Sequence, residues 1–359
     1  MMPSAIIMAG GLGTRFWPAS RKDNPKQFLK LPGANSKSML RDTAERIANI
    51  VRPEKIFVVT TAILADKAAQ ELSFVPRHNI VVEPERRNTA PCVALAMSAI
   101  MSKYGPDEVV AVLPADHKIG DKGRYQEILG SLIRYVRANS VVATFGIRPT
   151  RPETGYGYIE TGPCLHKETG LEIMAGIRFI EKPSLYNAQK YIESGSFLWN
   201  SGMFVLKTGT FMHICQNHLP ELYAPMKFVY KHFNNPEKLK DIYCRLPKIS
   251  FDQGIMEKLD YFVVAPGDFS WNDLGSWLAL HESPARDSNG NTIVADLIGL
   301  NVQDSIIFGS TRQTLAAVGI KDLIVVVEND VIMICPKDCH QSIKDLVEEV
   351  RRRGREDLL

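Results

Sequence analysis

Ala5-Ile6-Ile7-Met8-Ala9-Gly10-Gly11-Leu12-Gly13-Thr14-Arg15-Phe16-Trp17-Pro18 is a short apolar run that breaks into three glycines and an arginine. Such a run reads as a β-strand ending in a turn. Glycines let the backbone approach a ligand closely, and successive N–H groups of such a loop form a nest for phosphate oxygens. Arg15 adds a forked cation suited to bidentate phosphate contact, and Arg21 and Lys26, the latter in Asn24-Pro25-Lys26-Gln27-Phe28, supply further positive charge. The same letters also spell a tight turn with scattered surface cations. Two other glycine loops are excluded. A dinucleotide fingerprint counted from Gly11 and Gly13 would need glycine where Phe16 stands, and a P-loop would need Lys-Ser/Thr after Gly13, where Thr14-Arg15 is found.

From this loop the pattern extends as alternating β-rich runs and helical segments. The strands are expected at Ala5–Met8, Lys55–Thr60, Asn79–Glu83, Glu108–Leu113 and Ser140–Ile147, with helices at Ser38–Ile50, Ala62–Phe74, Thr89–Tyr104 and Arg124–Ala138. That alternation predicts an α/β fold, a mixed and mostly parallel sheet with flanking helices. Ligands of such sheets sit at the carboxyl ends of the strands, which is where the glycine loop falls. After about Pro284 short β runs (NTIVA, SIIFG, LIVVV, VIMIC) separated by Asn, Gly and Asp indicate a small β-rich element closed by a helix at Cys339–Arg353. The expected organisation is a catalytic domain over 1–284 and a β-rich domain over 285–359.

Composition narrows the function classes. The 359 residues are 45% hydrophobic and 23% charged with a net charge of +3, and the basic residues are interspersed with acidic ones, which argues against a nucleic-acid partner. No apolar run approaches the roughly 20 residues that span a bilayer, and Met1 to Met8 carries no basic leader, so a cytoplasmic protein without a membrane partner is expected. The six cysteines form no C-x-x-C pair, and Cys335 to His340 lacks the second cluster that a zinc site needs.

Further candidate residues lie at the ends of the expected strands. Glu83-Pro84-Glu85-Arg86-Arg87-Asn88-Thr89-Ala90-Pro91-Cys92 follows a strand and opens a helix, so Asn88, Thr89 and the first helical amides are placed to meet an anion or a base edge, or simply to cap the helix. Leu113-Pro114-Ala115-Asp116-His117 puts Asp116 at a strand end, where a carboxylate beside a phosphate nest calls for a cation such as Mg²⁺. Asp273 lies in Trp271-Asn272-Asp273-Leu274-Gly275, which also reads as a turn. Gly155 and Gly157 in TGYGYIE, Glu181 and Lys182 in FIEKP, and Asn200 in WNSGMF offer the mixture of carboxylate, amide and cation that a sugar phosphate requires.

The order glycine loop, EPERRNTAP, PADH, TGYGYI, EKP, WNSGMF, WNDLGSW resembles the sugar-nucleotide pyrophosphorylases, in particular the mannose-1-phosphate guanylyltransferases, to about Trp277. The resemblance implies a Rossmann-like nucleotidyltransferase (GT-A-like) domain followed by a left-handed β-helical or otherwise β-rich element. It implies transfer of GMP from GTP to α-D-mannose 1-phosphate, giving GDP-mannose and pyrophosphate. In the family, residues matching Arg15, Lys26, Asp116 and Asp273 are catalytic, the two aspartates holding Mg²⁺, with Mn²⁺ also suited. Gly10, Gly11, Gly13, Thr14, Glu83, Arg87, Asn88 and Thr89 match nucleotide-binding positions. Gly155, Gly157, Glu181, Lys182 and Asn200 match the sugar-phosphate side. Asp252 in SFDQGIMEK joins them, although Phe251 and Gln253 depart from the family's pattern. A homodimer is implied as well. Another nucleotide and hexose phosphate pair, or a noncatalytic sugar-nucleotide sensor, are the alternatives. No His-x-His cluster lies in the last residues, so a single activity is expected.

Overall fold

The computed structural model describes residues 2–30, 37–168, 170–229, 235–281, 286–309 and 313–359. The expected boundary between 284 and 285 lies outside the described residues. Contacts divide the chain into two compact units, one of Met1–Gly10, Thr43–Ala115 and Ile119–Trp271, the other of Gly11–Asp42, Asp116–Lys118 and Asn272–Leu359.

The first unit is built on a nine-stranded sheet. Its strands are β1 (Ser4–Met8), β2 (Ile56–Thr61), β3 (Ile80–Glu83), β4 (Val109–Pro114), β5 (Ala143–Ile147), β6 (Tyr158–Glu168), β7 (Leu171–Ile180), β8 (Phe197–Lys207) and β9 (Phe262–Gly267). Their order is β3-β2-β1-β4-β8-β5-β9-β7-β6. The pairs β3–β2, β2–β1, β1–β4 and β5–β9 are parallel, and β8 runs antiparallel between β4 and β5. Central strands buried on both faces read as continuous apolar runs, which is why Ala5–Met8 and Val109–Leu113 announce themselves in the sequence. The region after Thr150 is less legible because β6 and β7 pair with three register shifts, which breaks the alternation of inward and outward residues.

Helix α1 (Thr89–Tyr104) has the bounds read from its caps. It is apolar around most of its circumference, and its Val93, Ala94, Leu95, Ala96 and Met97 are fully buried in the core with Ile6, Val110, Phe204 and Phe251. The expected helix at Arg124–Ala138 begins two residues earlier, where Asp121 caps the Arg124 amide and defines α2 (Lys122–Ala138).

In the second unit, Thr292–Val294 (β10), Ile306–Gly309 (β12) and Leu323–Val327 (β14) form one parallel face, extended antiparallel by Ile332–Pro336 (β15). Leu297–Leu300 (β11) and Leu315–Val318 (β13) form a second, and a bridge between Gln303 and Lys321 marks a third. This is a β-helix. Thr292 pairs with Ile306 and Ile306 with Ile324, steps of 14 and then 18 residues, so no fixed period shows in the sequence. Trp277 is completely buried in the core of this unit, with its ring centroid 4.8 Å from Phe16 and 5.1 Å from Phe308.

Candidate functional site

In the second unit the loop after Gly10 folds back on itself. Gly13 has φ 60°, and a Cβ there would come within 2.5 Å of the Lys26 side chain, so the left-handed backbone and the close approach both require glycine. Thr14–Phe16 form a short 3-10 turn, closed by the Phe16 amide on the Gly13 carbonyl at 2.9 Å. Ser20 Oγ donates to the Leu12 carbonyl and Gln27 Nε2 to that of Gly11.

Lys26 is only 5% exposed. Its ammonium donates to Asp116 Oδ2 at 2.9 Å and to the Asp273 main-chain carbonyl at 2.6 Å. One buried cation thus gathers the two aspartates that stand 157 residues apart, while the Asp273 carboxylate accepts from the Gly275 amide at 3.1 Å. Burial, the largest single influence, would raise the Asp116 pKa, but the charges of Lys26 and His117 and the hydrogen bond from Lys26 together outweigh it, and Asp116 is held below the usual carboxylate range. Arg15 is exposed and reaches the Gly275 carbonyl at 3.4 Å. Arg21 does not join this group. It forms a two-pronged pair with Asp330, because that carboxylate satisfies its planar fork.

The donors around Lys26 are carboxylate and carbonyl oxygens, which suit a hard divalent cation that completes its shell with phosphate and water. Among the described residues no group of three or more His, Cys, Asp and Glu could hold a metal without such outside ligands.

In the first unit, Glu83 closes β3 and is 5% exposed. It accepts a hydrogen bond from Tyr243 at 3.2 Å, and a Cβ on Gly10 would lie 2.5 Å from its Oε1. Arg86 donates from Nε to the Gly10 carbonyl at 2.9 Å. Arg87 is engaged by Glu85 and by the Leu246 carbonyl. Asn88, with φ 70°, accepts from the Thr89 amide, and the Ala90 amide donates to the Ile249 carbonyl. Pro91 has no N–H, the first-turn amides of Thr89 and Ala90 are held within the chain, and Asn88 caps the helix. Thr89 Oγ1 accepts from the Phe251 amide at 2.7 Å.

The same unit brings together Gly157, Glu181, Asn200 and Asp252. Asn200 Nδ2 donates to Asp252 Oδ1 at 2.8 Å, its main-chain N–H donates to the Gly157 carbonyl at 2.8 Å, and its Oδ1 accepts from Thr144 at 3.2 Å. A Cβ on Gly157 would sit 3.0 Å from Glu181 Oε2 and 2.8 Å from the Phe179 ring. Lys182 pairs with Glu181 at 2.5 Å. Gly155 stays apart, in a turn whose amide is held by Glu153. Burial, and secondarily the charge of Glu181, push the Asp252 carboxyl up to about 6. Thr144 and Tyr243 were not singled out in the sequence, since neither lies in a motif.

An acid with a raised folded-state pKa is most favourable when protonated, so its contribution to stability is present below the usual aspartate range and is lost as pH rises through about 6. Asp252→Asn is therefore expected to unfold at a higher temperature than the parent, with a gap that widens from pH 4 to pH 7.5. Melting curves across that range check it, and a gap independent of pH contradicts it.

Residues 4–289 match the nucleotidyl transferase family, and residues 295–350 match the MannoseP isomerase/GMP-like beta-helix domain. The chain belongs to the nucleotidyl transferase family. It is 36% identical to a mannose-1-phosphate guanylyltransferase of Salmonella montevideo, over 99% of this chain and 75% of that one. With a mannose-1-phosphate guanylyltransferase of Escherichia coli the identity is 33%, over 98% of this chain and 76% of the relative. A crystal structure from Thermus thermophilus, described as a mannose-1-phosphate geranyltransferase, superposes with a TM-score of 0.87 at 33% identity, covering 98% of this chain and all of that one. This nucleotidyl transferase is thus an enzyme with a Rossmann-like domain and a β-helix. No helix among its described residues is long and apolar enough to cross a membrane.

Proposed function

We propose that the enzyme transfers GMP from GTP to α-D-mannose 1-phosphate, releasing pyrophosphate. The observation that carries this reading is the buried Lys26, bonded at once to Asp116 and to the Asp273 carbonyl in a chain whose relatives carry that activity in their names. A phosphate oxygen of the sugar attacks the α-phosphorus of GTP, the new P–O bond forms, and the bond to the pyrophosphate oxygen breaks. No side chain has to act as nucleophile; positioning and charge neutralisation suffice for such transfers. Arg15 and Lys26 stabilise the charge on the phosphates, and the amides around Gly11, Gly13 and Thr14 bind their oxygens. Asp116 and Asp273 would hold Mg²⁺ or Mn²⁺, which when bound neutralises charge on the phosphates.

Glu83 and the segment Arg87 to Thr89 serve the base. Asn200, Asp252 and Glu181, beside the side-chain-free Gly157, bind hexose hydroxyls, Lys182 meets the sugar phosphate, and Gly155 serves the same substrate from its separate turn. We assign the reaction to the cytoplasm, without nucleic acid or membrane, in a homodimer. The exposed Ile298, Leu300 and Val318 of the β-helix, 68%, 64% and 73% accessible, support a self-contact.

Pyrophosphate release, measured with Mg²⁺ for each nucleoside triphosphate against mannose, glucose and N-acetylglucosamine 1-phosphates, is expected for GTP with mannose 1-phosphate. A different productive pair would reassign the specificity, and silence with every pair would indicate a noncatalytic sensor.

A further inference from the structure

Tyr243 ends the helix α3 (Pro236–Tyr243), 160 residues from the glutamate it touches. It is fully buried, and burial, the Cys92 thiol and Glu83 all push its hydroxyl above the usual phenol range, so it remains a hydrogen-bond donor at any working pH. Its bond to Glu83 Oε2 leaves Oε1 facing Gly10, whose carbonyl is held by Arg86. The groups that face Glu83 are therefore Tyr243 from α3, Arg86 from the segment after β3, and the Cys92 thiol of α1.

We infer that Tyr243 is a positioning residue that keeps the Glu83 carboxylate ionised, and so extends the preference for guanine over adenine to lower pH. The inference rests on the guanine reading above. A carboxylate offers acceptors to the N1–H and exocyclic amine on the Watson–Crick edge of guanine, whereas N1 of adenine is itself an acceptor. A protonated Glu83 presents a donor and loses that preference. Burial brings the carboxyl up to about 6, and the bond from Tyr243, aided by Arg86, opposes this. Without the hydroxyl, the protonated form should dominate to a higher pH.

The test is calorimetric binding of GTP and ATP, without sugar phosphate, to the full chain and to its Tyr243→Phe and Glu83→Gln variants from pH 5 to pH 8. GTP affinity of the parent is expected to fall on the acid side of about 6. In Tyr243→Phe that fall should begin about half a pH unit higher, with affinity at pH 8 within about twofold of the parent, as expected for loss of one hydrogen bond of ordinary strength. Glu83→Gln should abolish the fall and narrow the GTP to ATP ratio. A Tyr243→Phe profile that breaks at the parental pH, or lies uniformly lower at every pH with an unchanged break, overturns the inference and leaves Tyr243 a packing residue. A parent that binds another nucleotide more tightly at every pH instead overturns the guanine reading itself, and the inference falls with it.

Discussion

Asp116→Asn is expected to lower the turnover number for pyrophosphate release by about a thousandfold, the scale on which removal of a single charge-stabilising group in a preorganised site acts. The substitution keeps size and one acceptor oxygen. Lys26 retains its bond to the Asp273 carbonyl, so the buried ammonium is not left without a partner. Asp116 is also 36% exposed, which limits the cost of breaking the pair to about 1–2 kcal/mol of stability, below that of a fully buried pair. Steady-state kinetics at saturating GTP and sugar phosphate, alongside circular dichroism melts, separate the two effects. Activity within tenfold of the parent would remove Asp116 from the chemistry. Because Lys26 and His117 hold its pKa below the usual range, Asp116 remains ionised throughout the neutral region, and any acid limb of the rate near pH 6 belongs to another group. Among the described residues, Glu83 and Asp252 have carboxyls raised to about 6.

Trp277→Ala should produce the largest loss of stability. The side chain is completely buried, its ring packs on Phe16 and Phe308, and its indole N–H donates to the Trp17 carbonyl at 3.4 Å. Truncating a buried tryptophan removes a large apolar contact and leaves a cavity, at a cost of about 3–5 kcal/mol. The effect reaches the chemistry through adjacency in the chain. Phe16 follows Arg15 and Leu274 follows Asp273, and both apolar residues are 1% exposed in the same core as Trp277. Denaturant unfolding should show an earlier midpoint, with activity lost at denaturant concentrations the parent tolerates. Trp277→Phe should recover most of both. An unaltered midpoint in the alanine variant would show that this core does not limit stability.

The sequence is most informative where local chemistry decides the outcome. The bounds of α1 are legible because Asn88, Pro91 and Gly105 act within a residue or two of the helix ends. The left-handed turn at Gly13 follows from three glycines beside a strand. The coils of the β-helix are not legible, since uneven steps of 14 and 18 residues erase the period that would identify them. The Ala90 amide of α1 is not the available donor that the letters suggest, because its partner Ile249 comes from far along the chain.

By itself, then, the sequence determined the strand, loop and helix that open the nucleotidyltransferase domain. Backbone preferences, caps and apolar runs act over a few neighbouring residues and need no distant partner. Only the tertiary structure decided that Lys26 binds both aspartates, that Asn200 binds Asp252 and that Tyr243 binds Glu83. Those partners lie between 52 and 247 residues apart. Buried charges and carboxyls must find partners, but which segment supplies them is set by the packing of the core, and the letters beside each residue carry no record of it.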